Sequence, residues 1–208
     1  MKNFVWNEEK VFIGENSKNG TYEFNNFNGF ICFGSNNCTV KNADFIVNIR
    51  HIEYLTGKHI PVKPWDVNVN EIIWNNGEVI SGNFNPHHWK NGIFNGDVLK
   101  TAIFENGMFN GKELICNVFK DGIVKKGNVQ CVTWERGTFK GEQFNGTFNC
   151  GVFKSSNGIF YGTWLDGHFH SGIFKGKWKG GKWLNITTQS FQGESYVGDG
   201  TFDSVVKE

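Results

Sequence analysis

The stretch WERGTFKGEQF, Trp134–Phe144, sets Trp134, Phe139 and Phe144 five residues apart, with polar residues and Gly between. A helix repeats every 3.6 residues and a strand every two, so a period of five fits neither. The spacing continues in both directions. Upstream it runs Trp74, Val79, Phe84, Trp89, Phe94, Leu99, Phe104, Phe109, Leu114, Phe119, Val124 and Val129; downstream it continues, with small slips, from Phe148 to Trp183.

A longer period lies above the first. Every third position tends to Trp or Phe: Trp74, Trp89, Phe104, Phe119, Trp134, Phe148, Trp164 and Trp178. The five residues that follow carry a Gly two places before their ring, as in KNGIF, ENGMF and ERGTF. The unit is therefore 15 residues made of three five-residue sides. Lys90, Glu105, Lys120 and Glu135 share one slot of successive units and alternate in sign, as stacked neighbours should.

A chain coiling with three short sides per turn turns one large side chain inward from each side and places Gly or Asn at the corners. Successive coils then pair in parallel about 4.8 Å apart. The expected fold is all-β, a single-stranded β-solenoid of about eight three-sided 15-residue coils with β-rich caps at both ends, roughly 35–40 Å long at that spacing. One coil buries three large side chains, worth roughly 1.5–3 kcal/mol each, against ~1–2 kcal/mol for ordering each of its residues. A lone coil cannot fold; stacking on neighbours must stabilise it. The competing geometry is an array of hairpins turning at Asn-Gly, and WKNG and KGKWKGGKW resemble MORN repeats, although turns every five residues leave strands at the lower limit of length.

Three segments are expected: 1–71 as an N-terminal β-rich cap with imperfect first coils, 72–184 as the repeat, and 185–208 as a C-terminal cap. TYEFNNFNGFICF, 21–33, alternates apolar and polar residues around an NG and reads as a hairpin. Residues 39–73 read as irregular strands joined through Pro61 and Pro64.

Composition bounds function loosely. The chain has 208 residues with 21 Phe, 8 Trp and 27 Gly, too aromatic for disorder. The net charge of +1 hides a basic repeat, where residues 74–184 carry 13 Lys and Arg against 8 Asp and Glu. The N-terminus has acidic residues where a signal peptide needs an apolar run, and the five Cys form no C-x-x-C pair. A soluble protein with reduced thiols is expected, located in a virion or a host cytoplasm, without cofactor, metal or membrane.

The most suggestive surface feature is the outward slot after the second ring of each coil, which reads Asn95, Asn110, Lys125, Lys140, Lys154 and His170, with Lys126 beside Lys125. A like-charge ladder is unfavourable unless a polyanion covers it. These five basic residues (Lys125, Lys126, Lys140, Lys154 and His170) are the candidate ligand-binding set, acidic glycan being the preferred ligand. Nucleic acid is disfavoured because the aromatics that could stack on bases belong to the core. Solvated lysines at exposed corners are the plainer explanation. Cys116 and Cys131 fall in one corner slot one coil apart, a spacing that permits a disulfide on distance; in a reducing cytosol two buried thiols are expected instead. No catalytic fingerprint occurs, and Glu142, with Gly127 and Gly158 in the adjoining slots, has no opposite charge to pair with, unlike Glu105 and Glu135 on either side of Lys120. An enzyme acting on carbohydrate is therefore the third choice.

From Trp74 to Trp183 the x-G-x-[FW]-x pattern is similar to that of pentapeptide-repeat proteins, and NADFI at 42–46 matches their A-[DN]-[LF] core. It departs from them in using Gly where they use Ala and in grouping by threes, where that family builds four-sided coils. The W-x-x-G-x-F-x-x-G style also resembles repeat proteins of large tailed phages. That resemblance implies a structural or protein-interaction solenoid, a virion part or a phage-encoded accessory protein, with self-association or a protein partner.

Overall fold

Leu99, Phe104 and Phe109 occupy the three inward positions of one coil, and the chain between them explains each corner. The protein is described by a computed structural model covering residues 5–6, 11–13, 20–33, 36–50, 68–185, 190–193, 199–203 and 206–207. Strand Val98–Phe104 is followed by the two-residue strand Met108–Phe109, and Glu113–Phe119 begins the next coil. All three pair in parallel with their counterparts above and below. Leu114 lies beside Leu99 and Val129, Phe119 beside Phe104 and Trp134, and Val124 beside Phe109 and Phe139. The result is an all-β parallel solenoid of about 7 turns, one fewer than expected, because eight rungs of the first ladder enclose seven turns. Parallel pairing at one-coil offset rules out the hairpin array.

The three inward positions stack into three ladders, and their residues from Trp74 to Trp178 are at most 1% exposed. In the first ladder neighbouring rings from Trp74 to Trp178 sit 3.7 to 5.9 Å apart with planes within 12° of parallel. Between ladders the rings meet edge to face; Trp134 stands at 79° to Phe139 and 84° to Phe144. Offset stacks along the axis and T-shaped contacts across it are the two arrangements that aromatic quadrupoles favour.

The three corners differ in their physics. After the first ring, the column through Gly107, Gly122 and Gly137 holds φ between 115° and 121°, and a Cβ at Gly122 would lie 2.5 Å from the Gly107 carbonyl oxygen. After the second ring the constraint comes from the coil below as well as from the ring: a Cβ at Gly96 or Gly141 would lie 2.3 or 2.4 Å from the Gly82 or Gly127 carbonyl oxygen, and one at Gly111 would lie 2.7 Å from the Phe94 ring. In the coil of Lys125 and Lys126 the corresponding place is taken by Gly127, which is buried with φ of 81° and would put a Cβ 2.3 Å from the Gly111 carbonyl oxygen, while Lys126 is exposed.

At the third corner the strand runs through, and Gly is required only in the later coils: a Cβ would lie 1.8 Å from the Cys131 carbonyl oxygen at Gly146 and 2.1 Å from the Gly146 carbonyl oxygen at Gly162, where φ is 145° and 117°. The small inward residues Thr101, Cys116 and Cys131 align in register and give way to Gly146, Gly162 and Gly176 further along. Two expected sides thus merge into one bent strand.

Antiparallel strands close the stack. Asn36–Arg50 pairs antiparallel with Asn68–Gly82 on one side and with Gly20–Phe33 on the other, so the strands before Trp74 do not run as coils. The segment TYEFNNFNGFICF is not a hairpin. It lies within the single strand Gly20–Phe33, because its partner is the apolar alternation of Cys38, Val40, Ala43, Phe45 and Val47. Its Asn residues bend the strand instead of reversing it. Asn26 and Asn42 hold φ of 51° and 49°, the Asn26 amide donates to Asp44 Oδ1 at 2.7 Å, and the Asn42 amide donates to Asn28 Oδ1 at 2.5 Å. The bend lets Phe24 and Phe45 extend the first ladder, with Phe45 4.6 Å from Phe24 and 5.9 Å from Trp74. At the other end Ser190–Gly193 covers Lys182–Asn185, and Asp199–Asp203 runs antiparallel to residues 174–177. Pro61 and Pro64 lie outside the described residues.

Candidate interaction face

The side that carries the second ladder is the shortest, running from Gly107 through Met108, Phe109 and Asn110 to Gly111. With Phe109 turned inward, both flanking residues face outward. Repeated over the coils this makes a two-column face. One column holds Ile93, Met108, Ile123, Thr138 and Val152, paired rung to rung. The other holds Asn95, Asn110, Lys125, Lys140 and Lys154.

The second column changes character along its length. At the N-terminal end Asn95 Nδ2 donates to Glu78 Oε1 and Asn110 Nδ2 to Asn95 Oδ1, each at 2.9 Å, an amide ladder that satisfies itself. From Lys125 onward the ladder is cationic. Lys125, Lys126, Lys140 and Lys154 are exposed and make no ion pair among the described residues. Some charges of the repeat do pair between coils: Lys112 lies 2.6 Å from Asp97 and Arg136 2.9 Å from Asp121.

The alternating charge column expected from the sequence is realised in one link, with Lys120 Nζ 3.1 Å from Glu105 Oε1. His88 Nε2 approaches the same oxygen at 3.2 Å. Burial raises the Glu105 carboxyl pKa, but the hydrogen bond from Lys120 and the charges of His88 and Lys120 outweigh it and hold the pKa below its ordinary value.

His170 does not simply extend the lysine column. The register advances by an extra residue here, so that Phe153 faces Phe169 while Lys154 faces Ser171. His170 is half-buried in that irregularity, and burial first, then the charges of Lys154 and His168, lowers its pKa. Lys175 and Lys177 stand opposite Thr201 and Asp199 of the closing strand, apart from the stripe. Glu142 is exposed, with Gly127 and Gly158 in the neighbouring coils as its slot anticipated.

The apolar column beside the lysines is the feature that sequence reasoning passed over. Its signal was present, an Ile, Met, Thr or Val immediately before the second ring. Such residues also read as ordinary strand formers, and only the coil geometry turns them outward. Ile93 and Ile123 are 38% and 37% exposed, so the column is a half-open apolar strip lying alongside the cationic one.

The chain matches no protein-family model, no curated protein and no solved structure.

Proposed function

We propose that this protein is a non-catalytic structural solenoid that contacts another protein through its side faces, in the setting of a phage particle or a phage-encoded accessory protein. The observation that carries the reading is the closure of both ends. Antiparallel strands cover the first and last coils, which leaves seven turns of regular outer face as the surface on offer. Antiparallel terminal strands break the parallel register that end-to-end growth of the coils would continue, which favours lateral use of the faces. The Gly/aromatic repeat style shared with phage repeat proteins supports the setting. Light scattering and lysine cross-linking of the purified chain test it. A closed oligomer or partner linked through Lys125, Lys140 or Lys154 is expected; a strictly monomeric protein linked only through its terminal strands would overturn it.

A second reading has its own observation, three exposed lysines (Lys125, Lys140 and Lys154) that follow one another in one outward column without an ion pair among the described residues. In that reading the face binds an acidic polymer, an anionic polysaccharide being the preferred ligand. Binding of alginate or heparin at low salt should weaken at least tenfold on raising the salt to physiological strength. The Lys125/Lys140/Lys154→Ala variant should remove it while leaving the urea midpoint unchanged. Salt-independent binding, or binding retained by the variant, would sink this reading without touching the first.

A further inference from the structure

At the third corner, Cys116 and Cys131 occupy the same register position of adjacent parallel strands. Both are free thiols and each is 5% exposed. They are bounded in their column by Thr101 on one side and Gly146 on the other, where a Cβ would stand only 3.4 Å from the Cys131 sulfur. The column therefore contributes no bulky side chain beside either thiol. Cys116 also lines a shallow surface groove of about 350 Å³ together with Pro86, His87, Lys100 and Thr101, which gives its thiol a route to solvent.

Magnitudes decide what such a pair suits. In-register side chains of a parallel ladder start about 4.8 Å apart, whereas a disulfide wants its Cβ atoms about 3.5–4.5 Å apart. Two sulfurs flanking one metal ion at about 2.3 Å each span about 4.6 Å, which the ladder supplies without compressing the coils. Ligand number narrows the ion. Among the described residues no three His, Cys, Asp or Glu side chains gather at one point, so a four-ligand zinc site is not built here. Thiolate ligands select soft cations, copper(I) among them.

We propose that Cys116 and Cys131 form a two-sulfur binding site for a soft monovalent cation of the copper(I) or silver(I) kind. Binding releases both thiol protons to solvent and leaves a two-thiolate complex with one net negative charge, beside the groove that Lys100 lines. The hydrogen bond between the two sulfurs, and then burial, pushes the Cys131 thiol well above its ordinary range, so the ion has to displace protons to bind. Occupancy at a fixed free-ion level therefore rises with pH.

The test uses the full chain carrying Cys150→Ser, which removes the thiol that is exposed among the described residues, with copper(I) delivered anaerobically from a chromophoric chelator. One ion per chain should transfer, more completely at pH 8 than at pH 6. Cys116→Ala and Cys131→Ala, each checked for an intact urea transition, should each lose that ion entirely. Independently of those variants, one equivalent of silver(I) should raise the urea midpoint of the Cys150→Ser chain. Transfer retained by either variant, or no transfer to the folded Cys150→Ser chain, overturns the proposal.

Discussion

Trp134→Ala is expected to be among the most damaging single truncations in the solenoid, at about 3–5 kcal/mol. Trp134 is fully buried at the middle of the first ladder, 3.7 Å from the Phe119 ring and 5.3 Å from Phe148. Phe139 and Phe144 pack edge-on from the other two ladders. Removing the indole therefore empties a space walled by four rings that are themselves held in stacks, and stacked coils collapse poorly into a void. The loss also interrupts the coil-to-coil contacts that hold neighbouring repeats together. Urea unfolding measures the cost, and hydrogen exchange locates it: amides of the coils through Phe119 and Phe148 should lose protection first. Val132→Ala, two residues away but 67% exposed, should change stability by less than about 0.5 kcal/mol. A Trp134→Ala loss below about 1 kcal/mol would mean that the ladder contributes little.

Gly122→Ala should cost a comparable amount by a different route, about 3 kcal/mol or more. The backbone there has φ of 121°, a conformation that costs an L residue about 1–3 kcal/mol. The new Cβ would also stand 2.5 Å from the Gly107 carbonyl oxygen and 3.0 Å from its nitrogen. That oxygen accepts the Ile123 amide at 2.9 Å, so relieving the clash means opening an intercoil hydrogen bond. Gly122→Asn should fare no better, because Asn is tolerated in the left-handed helical region at φ of about 57° and not at 121°, and it carries the same Cβ. A loss below about 1 kcal/mol for Gly122→Ala, read from the urea midpoint, would remove both the φ and the close-approach arguments.

Much of this was legible in the residues because the code is redundant. The five-residue ring spacing, the triple grouping and the Gly before the second ring each point to three ladders, and the register joins the rings that the sequence aligned. The corner glycines were legible as a class, but their reasons were not. At Gly122 the demand comes from φ and the coil below, at Gly96 from the Gly82 carbonyl oxygen and the Phe94 ring, and at Cys116 no glycine is needed. Lys126 stands in a glycine slot by count along the chain, but the fold puts Gly127 in that place and leaves Lys126 exposed. The hairpin expected in TYEFNNFNGFICF failed for a related reason. Asn-Gly marks a place where the chain can turn, and whether it reverses or only bends depends on a partner strand many residues away.

The lysine face divides in the same way. Its residues could be read from the sequence because one outward slot recurs every coil. That the lysines lack carboxylate partners depends on side chains from neighbouring coils, and the position of His170 depends on a register shift no local pattern announces. What the sequence determined by itself is the all-β solenoid and its three ladders, because burial of a ring every five residues admits no helix and no ordinary strand. What only the tertiary structure decided is how the ends close, which corners need glycine and which charges stay unpaired. Those are properties of contacts between coils, where atoms 15 residues apart or more meet at van der Waals distance.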